Sequence, residues 1–323
     1  MQAPPPEETS GASRPTRGVF TLSLDCEGLW GMADNRAVVS AGAIDDAALQ
    51  AAYDGILAVL EENRLVATAA FVTCFASETD ALRENLDLFE RLAALEPQWF
   101  AAIVPALKSG ELSGWRGARQ YRDMAAAGME MAWHGATHLP LSQATSDEAV
   151  ALEVELAQRL FAALGSRPRT IVFPRNRVGH LDALRAAGFD AYRDAPRPAR
   201  LGRIGNLLRE FNVASRCDAQ PARMQGGWRV CRPGAFLNWP AGARALVPVS
   251  VTVRRWKAML RDAAEHGGDA HMWLHPHNLI SAPEMKVSFA EIMHYAGELT
   301  RSGDLDNWTI AQSVAFLDEA RKK

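Results

Sequence analysis

His134 and His138, in the run Trp133-His-Gly-Ala-Thr-His-Leu-Pro, are two imidazoles four residues apart. On a helical turn that spacing puts both rings on one side, where they can share a metal ion. Neutral imidazole is a favoured ligand of Zn²⁺ and its neighbours. Helical metalloproteases with the same spacing carry a Glu after the first His as their base. Gly135 stands there, so the zinc-protease reading is excluded. A base and a third ligand must come from elsewhere. Two clusters qualify, Asp25-Cys26-Glu27 upstream and His275-Pro276-His277 downstream, each directly after a short apolar run. Carboxylates, a histidine pair and a distant histidine make a candidate hydrolytic metal site.

The elements that must position these groups can be read from periodicity. Val19 to Leu24 is a strand-type run delivering Asp25, and Val66 to Thr73 is a second. Met129 to Trp133 is a third, delivering His134. Arg169 to Phe173 delivers Pro174-Arg175-Asn176, a short run follows from Phe189 to Tyr192, and Ala270 to Leu274 delivers His275. Helical patterns lie between them. Asp45 and Asp46 start one with Leu49, Ala52, Tyr53, Ile56, Leu57 and Leu60 on one face; Thr145 and Glu148 read as the capping box of another that ends at Gly165. Further helices are expected near residues 80–95, 181–187, 201–211, 251–265, 288–300 and 310–321. Residues 194–248 are otherwise rich in Pro, Gly and Arg, and carry no clear pattern. Alternating strand and helix predicts a parallel α/β architecture, in which every candidate group follows a strand and so collects at one rim.

Composition narrows the function classes. The chain has 323 residues, 48% of them hydrophobic, and a formal net charge of -3, so it can bury a large core and shows no nucleic-acid footprint. No stretch approaches the roughly 20 apolar residues that span a bilayer. Residues 1–17 lack the apolar core of a signal peptide and read as a disordered lead-in to a single domain over residues 18–323. Cys26, Cys74, Cys217 and Cys231 are scattered without CxxC spacing, which fits reduced thiols in a cytoplasmic protein.

With these residues laid out, the chain resembles the polysaccharide deacetylase family (carbohydrate esterase family 4, the NodB-homology domain). The resemblance is carried, in order, by Ser23-Leu24-Asp25-Cys26-Glu27-Gly28, by His134 and His138 with Thr137, by Phe173-Pro174-Arg175-Asn176, and by Leu274-His275. It implies a distorted (β/α) barrel of about seven parallel strands. It also implies a metal-dependent hydrolase that removes an N-acetyl group from an amino sugar or related saccharide. Asp25 would be the general base, His275 the general acid, and Arg175 the arginine that pairs with the base. Glu27, His134 and His138 would hold one divalent ion, Zn²⁺ before Co²⁺, Ni²⁺ or Mn²⁺. The family's adjacent aspartates are here Asp25 and Glu27, and strand alternation would still put both on one side; whether Glu27 or Asp25 ligates stays open. Trp30, Tyr192 and His277 are candidate substrate contacts, and Asp194 a candidate partner of His275. Trp133 and Trp273 read as core. The expected partner is an acetylated saccharide or glycan precursor inside the cell. Two rivals remain: hydrolysis of a non-sugar (cyclic) amide on the same scaffold, and a catalytically inactive carbohydrate-binding homologue.

Overall fold

A computed structural model describes residues 17–196, 202–213, 215–240 and 242–320. The lead-in expected over residues 1–17 therefore lies, Arg17 excepted, outside the described residues. Among the described residues ten strands share one sheet: β1 (Gly18–Cys26), β2 (Thr68–Phe71), β3 (Glu130–Trp133), β4 (Thr170–Val172), β5 (Ala191–Arg193), β6 (Ala222–Gln225), β7 (Trp228–Cys231), β8 (Ala235–Phe236), β9 (Gly268–Leu274) and β10 (Leu305–Trp308). The order is β6-β7-β5-β4-β3-β2-β1-β9-β8, with β10 joining β1 beside the start of β2. Strands β7 through β9 along this path are all parallel, and only β6 runs antiparallel, as a hairpin with β7.

The expected barrel is thus a curled sheet that does not close by a ladder. Its ends approach through other contacts. Asp218 forms a bridge with Asp269 of β9, and His271 of β9 donates from Nδ1 to the Arg232 carbonyl just after β7 (3.0 Å). Curling brings β5 across the interior to β1, although three strands separate them in the ladder.

Strand β1 shows why the curl holds. Phe20, Leu22 and Leu24 share the outward face of β1 with Gly18, which packs on Ala263 of helix Val249–His266; all three are fully buried, each contributing about 1.5–3 kcal/mol relative to exposure. The alternate residues Thr21, Ser23 and Asp25 face inward. The interior is narrow and lined by small side chains such as Ala70, Ala132 and Ala191. Its lower end is filled by Ile310, Val314 and Leu317 of helix Ile310–Ala320. The upper end stays polar and holds the site.

Helix Asp46–Asn63 begins where read, with Asp45 accepting from the Ala48 N–H (2.7 Å). Helix Asp147–Leu164 corrects the expected capping box: Ser146 is the cap, accepting from the Ala149 N–H, while Thr145 donates its hydroxyl to the Pro140 carbonyl. All four cysteines are free, and among the described residues no helix is long and apolar enough to cross a membrane.

Candidate active site

Glu27 lies just beyond β1, with its carboxylate turned toward the loop after β3. Its Oε2 is 3.1 Å from His134 Nε2 and 2.7 Å from His138 Nε2. Glycine is required at position 31, because a Cβ there would sit 2.0 Å from Glu27 Oε1. The three side chains offer ligand atoms within 4.8 Å of one another, and all are buried.

The histidines do not share a helical turn, which corrects that expectation. Residues 134–138 form a loop, with Gly135 at φ 80° and His138 at φ 64°. A Cβ on Gly135 would meet Pro174 at 2.9 Å, so this turn needs glycine twice over. His138 is a non-glycine residue in the left-handed region, which must be held by its surroundings. The loop's backbone is accordingly tied down. Gly135 and Ala136 carbonyls accept from Thr73 and Cys74 N–H groups, and Trp99 Nε1 donates to the Thr137 carbonyl (3.2 Å). Glu153, buried on helix Asp147–Leu164, accepts from the Ala136 and Thr137 N–H groups at 3.0 and 3.1 Å and from the Thr137 hydroxyl. Burial pushes its carboxyl up to about 7 despite those three donors.

The donor set suits a cation. His134 donates from Nδ1 to the Val172 carbonyl (2.6 Å), so in its neutral form the lone pair of Nε2 points at the Glu27 carboxylate. Two acceptors facing each other in a buried site need a proton or a metal ion between them. Among the described residues nothing hydrogen-bonds to the buried His138 Nδ1. Burial opposes charge on every member. His138 is accordingly lowered, whereas the charges and hydrogen bonds of the neighbouring histidines outweigh burial at Glu27 and hold it well below the usual carboxylate range. Two imidazole nitrogens and one carboxylate form a donor set that Zn²⁺ accepts in hydrolytic sites.

Asp25 lies beside this cluster and corrects the sequence reading of its partner. Arg193, at the end of β5, is buried at 2% exposure and clasps Asp25 through two parallel hydrogen bonds of 2.8 Å. It also donates to Ser23 Oγ (2.9 Å) and Asn176 Oδ1 (3.2 Å), and its guanidinium lies 4.9 Å above the Trp273 ring. Burial favours the neutral acid, but the Arg193 and His134 charges prevail and keep the Asp25 carboxyl below its ordinary value. Arg175, expected in that role, sits at the cavity rim. It pairs with Asp34 (2.7 Å), donates to the Gly31 carbonyl and covers Trp99.

His275 projects into the cavity, with Nε2 3.9 Å from Asp25 Oδ2 and 3.7 Å from Glu27 Oε1. Asn278, not Asp194, meets its Nδ1 (3.3 Å); Asp194 is engaged by Arg223. His277 is buried, its Nδ1 3.9 Å from Glu27 Oε1, and burial brings it down to about 4. Of the expected substrate contacts, His277 alone lines the cavity. Trp30 is fully buried against Phe89 and Trp115 and donates to the Trp115 carbonyl. Tyr192 packs between Phe173 and Trp228, because strand alternation turns it away from Arg193's face. Trp273 reverses the opposite expectation: its register beside Ser23 points it inward, where it meets His275 edge-on and Phe236 at a tilt. The cavity measures about 1150 Å³.

Residues 36–191 match the family described as polysaccharide deacetylase. That span includes His134, His138 and Arg175, while Asp25, Glu27 and His275 lie outside it. No curated protein sequence matches the chain. Among solved structures, one from Mycobacterium smegmatis described as a polysaccharide deacetylase is 12% identical. It covers 99% of this chain and 96% of its own, with a TM-score of 0.57. A peptidoglycan deacetylase from Bacillus subtilis is 14% identical, covering 96% and 97%, with a TM-score of 0.44. A family 4 pseudoenzyme from Bacillus anthracis is 13% identical, covering 93% of this chain and 66% of its own, with a TM-score of 0.42. The resemblance to the polysaccharide deacetylase family read from the sequence is thus shown over residues 36–191.

Proposed function

We propose that this chain is a metal-dependent hydrolase that removes an N-acetyl group from an amino sugar or related saccharide, releasing acetate and a free amine. The observation that carries this reading is the convergence of Asp25, Glu27 and His275 in one cavity, His275 Nε2 lying 3.9 and 3.7 Å from the two carboxylates, with Glu27 itself against both His134 and His138. Glu27, His134 and His138 would hold one divalent ion, Zn²⁺ being the best match to two imidazoles and a carboxylate. Bound there, the ion would supply Lewis acidity toward an amide carbonyl and acidify water.

The remaining chemistry belongs to side chains of the chain. Asp25 is kept ionised by Arg193 and has one face toward the cavity, so it can accept the proton of the attacking water. His275, as imidazolium, gives a proton from Nε2 to the amide nitrogen as the C–N bond breaks. The Asn278 amide facing Nδ1 can present its NH₂ or, rotated, its carbonyl, and so follows the ring through both protonation states. Trp273 and Phe236, packed against His275, give the acetyl methyl or a sugar face an apolar wall. The test is acetate release from N-acetylglucosamine oligomers by zinc-loaded protein. Release that disappears in Asp25→Asn supports the proposal. Ammonia or carbamate from a cyclic ureide, with no acetate from any acetamido sugar, would replace it with the non-sugar amide reading.

A further inference from the structure

The cavity over Glu27 has a second arm, built by residues of the 194–248 stretch and of the helix that follows it. Glu210 of helix Gly202–Phe211, Arg244 of the turn Gly242–Leu246 and Arg255 of helix Val249–His266 meet there. Arg255 is 4% exposed and Glu210 5%. Arg255 Nη2 is 2.7 Å from Glu210 Oε2 and donates to the Phe236 carbonyl (3.3 Å), yet its Nε is buried with no hydrogen-bond partner among the described residues. Arg244 stands more open, 3.9 Å from the other Glu210 oxygen, with its guanidinium over the Phe236 ring. Within this trio two guanidinium groups share one carboxylate, which leaves the trio one positive charge in excess and, among the described residues, one buried donor open. Both features suit an arriving anion, since charge-assisted bonds from arginine to phosphate or carboxylate are the strong ones.

Phe236 sets the distance. Its ring centroid is 5.7 Å from the Arg244 guanidinium and 5.7 Å from the His275 ring. The Arg244 guanidinium therefore lies within about 11 Å of the His275 ring, a span that one sugar ring and its substituents can bridge. We propose that Arg244 and Arg255 form an anion-accepting arm, so that the preferred substrate is an acetamido compound bearing a phosphate or carboxylate about one sugar ring from its amide. The amide part rests on the deacetylase reading; the anion part does not.

Calorimetric titration of the zinc-loaded protein with N-acetylglucosamine, N-acetylglucosamine 6-phosphate and N-acetylmuramic acid separates the two. Wild-type protein should bind at least one acidic sugar roughly tenfold more tightly than the neutral one. Which acid gains tells phosphate from carboxylate. In Arg244→Gln the acidic-to-neutral ratio should fall toward one, Arg255→Lys should lower it partway, and Arg175→Gln, whose arginine pairs with Asp34, should keep it. No preference in the wild type, or a preference that survives Arg244→Gln because the anion sits on the metal, overturns the proposal. If the ratio behaves as expected while no sugar releases acetate, the arm stands and the deacetylase reading falls.

Discussion

Two arginines divide the site into a floor and a rim. Arg193 is sealed beneath Asp25, with hydrogen bonds to Ser23, Asp25 and Asn176 and an indole beneath its guanidinium. Arg175 has a side chain 41% exposed and pairs with an equally exposed Asp34. Each makes an arginine–aspartate pair of normal length. Burial separates their worth: solvent screens the rim pair to a few tenths of a kcal/mol, whereas removing one partner of a buried pair leaves an uncompensated charge. A loop motif that reads as catalytic in the sequence can thus end at the rim, while a strand end several residues later supplies the floor.

The sharpest way to break this contrast is to remove each arginine in turn. Arg193→Met should cost about 3–5 kcal/mol of unfolding free energy, read from urea denaturation, because Asp25 loses its counter-charge. Arg175→Met should cost less than about 1 kcal/mol, its exposed pair being screened. Equal costs would erase the distinction. Next in size, Asp25→Asn should lower turnover by roughly 10²–10⁴, the range of a lost general base, while zinc binding measured by elemental analysis persists. Loss of zinc in that variant would instead make Asp25 a ligand.

Glu153 gives a smaller effect with a defined sign. Its folded pKa of about 7 lies above the unfolded value near 4.5, so the folded state holds the proton more tightly. Its contribution is then fully present below pH ~4.5 and is lost as pH rises through about 7. Glu153→Gln should flatten the pH dependence of stability across that window; an unchanged slope would show that another group produces it. The same carboxylate fixes the loop between the two histidines, so the variant should also weaken zinc binding.

The strand ends of β1, β3, β4 and β9 were legible because period-two or continuous apolar runs stop at a polar group in each. The parallel architecture followed from their alternation with helices. What the pattern could not show was loop geometry. His-x-x-x-His spacing is helical only if the backbone is, and Gly135 and His138 both adopt positive φ. Arg193 ends a three-residue strand and resembles any surface arginine in sequence; its role depends on the curl that carries β5 over to β1. Glu153 did leave a signal, a carboxylate within the apolar stripe of Ala149, Leu152 and Leu156. The short β6, β7 and β8 sit in an Arg- and Gly-rich stretch, and β10 hides behind Asp306 and Asn307.

Everything in the floor presupposes that Glu27, His134 and His138 grip one cation. Equilibrium zinc titration of the wild type beside His134→Ala tests this most directly, with circular dichroism to verify that both are folded. One zinc per chain should bind to the wild type, and His134→Ala should lose it. A wild-type protein that takes up no zinc, cobalt, nickel or manganese, or a His134→Ala variant that binds zinc as tightly as the wild type, would contradict the metal site.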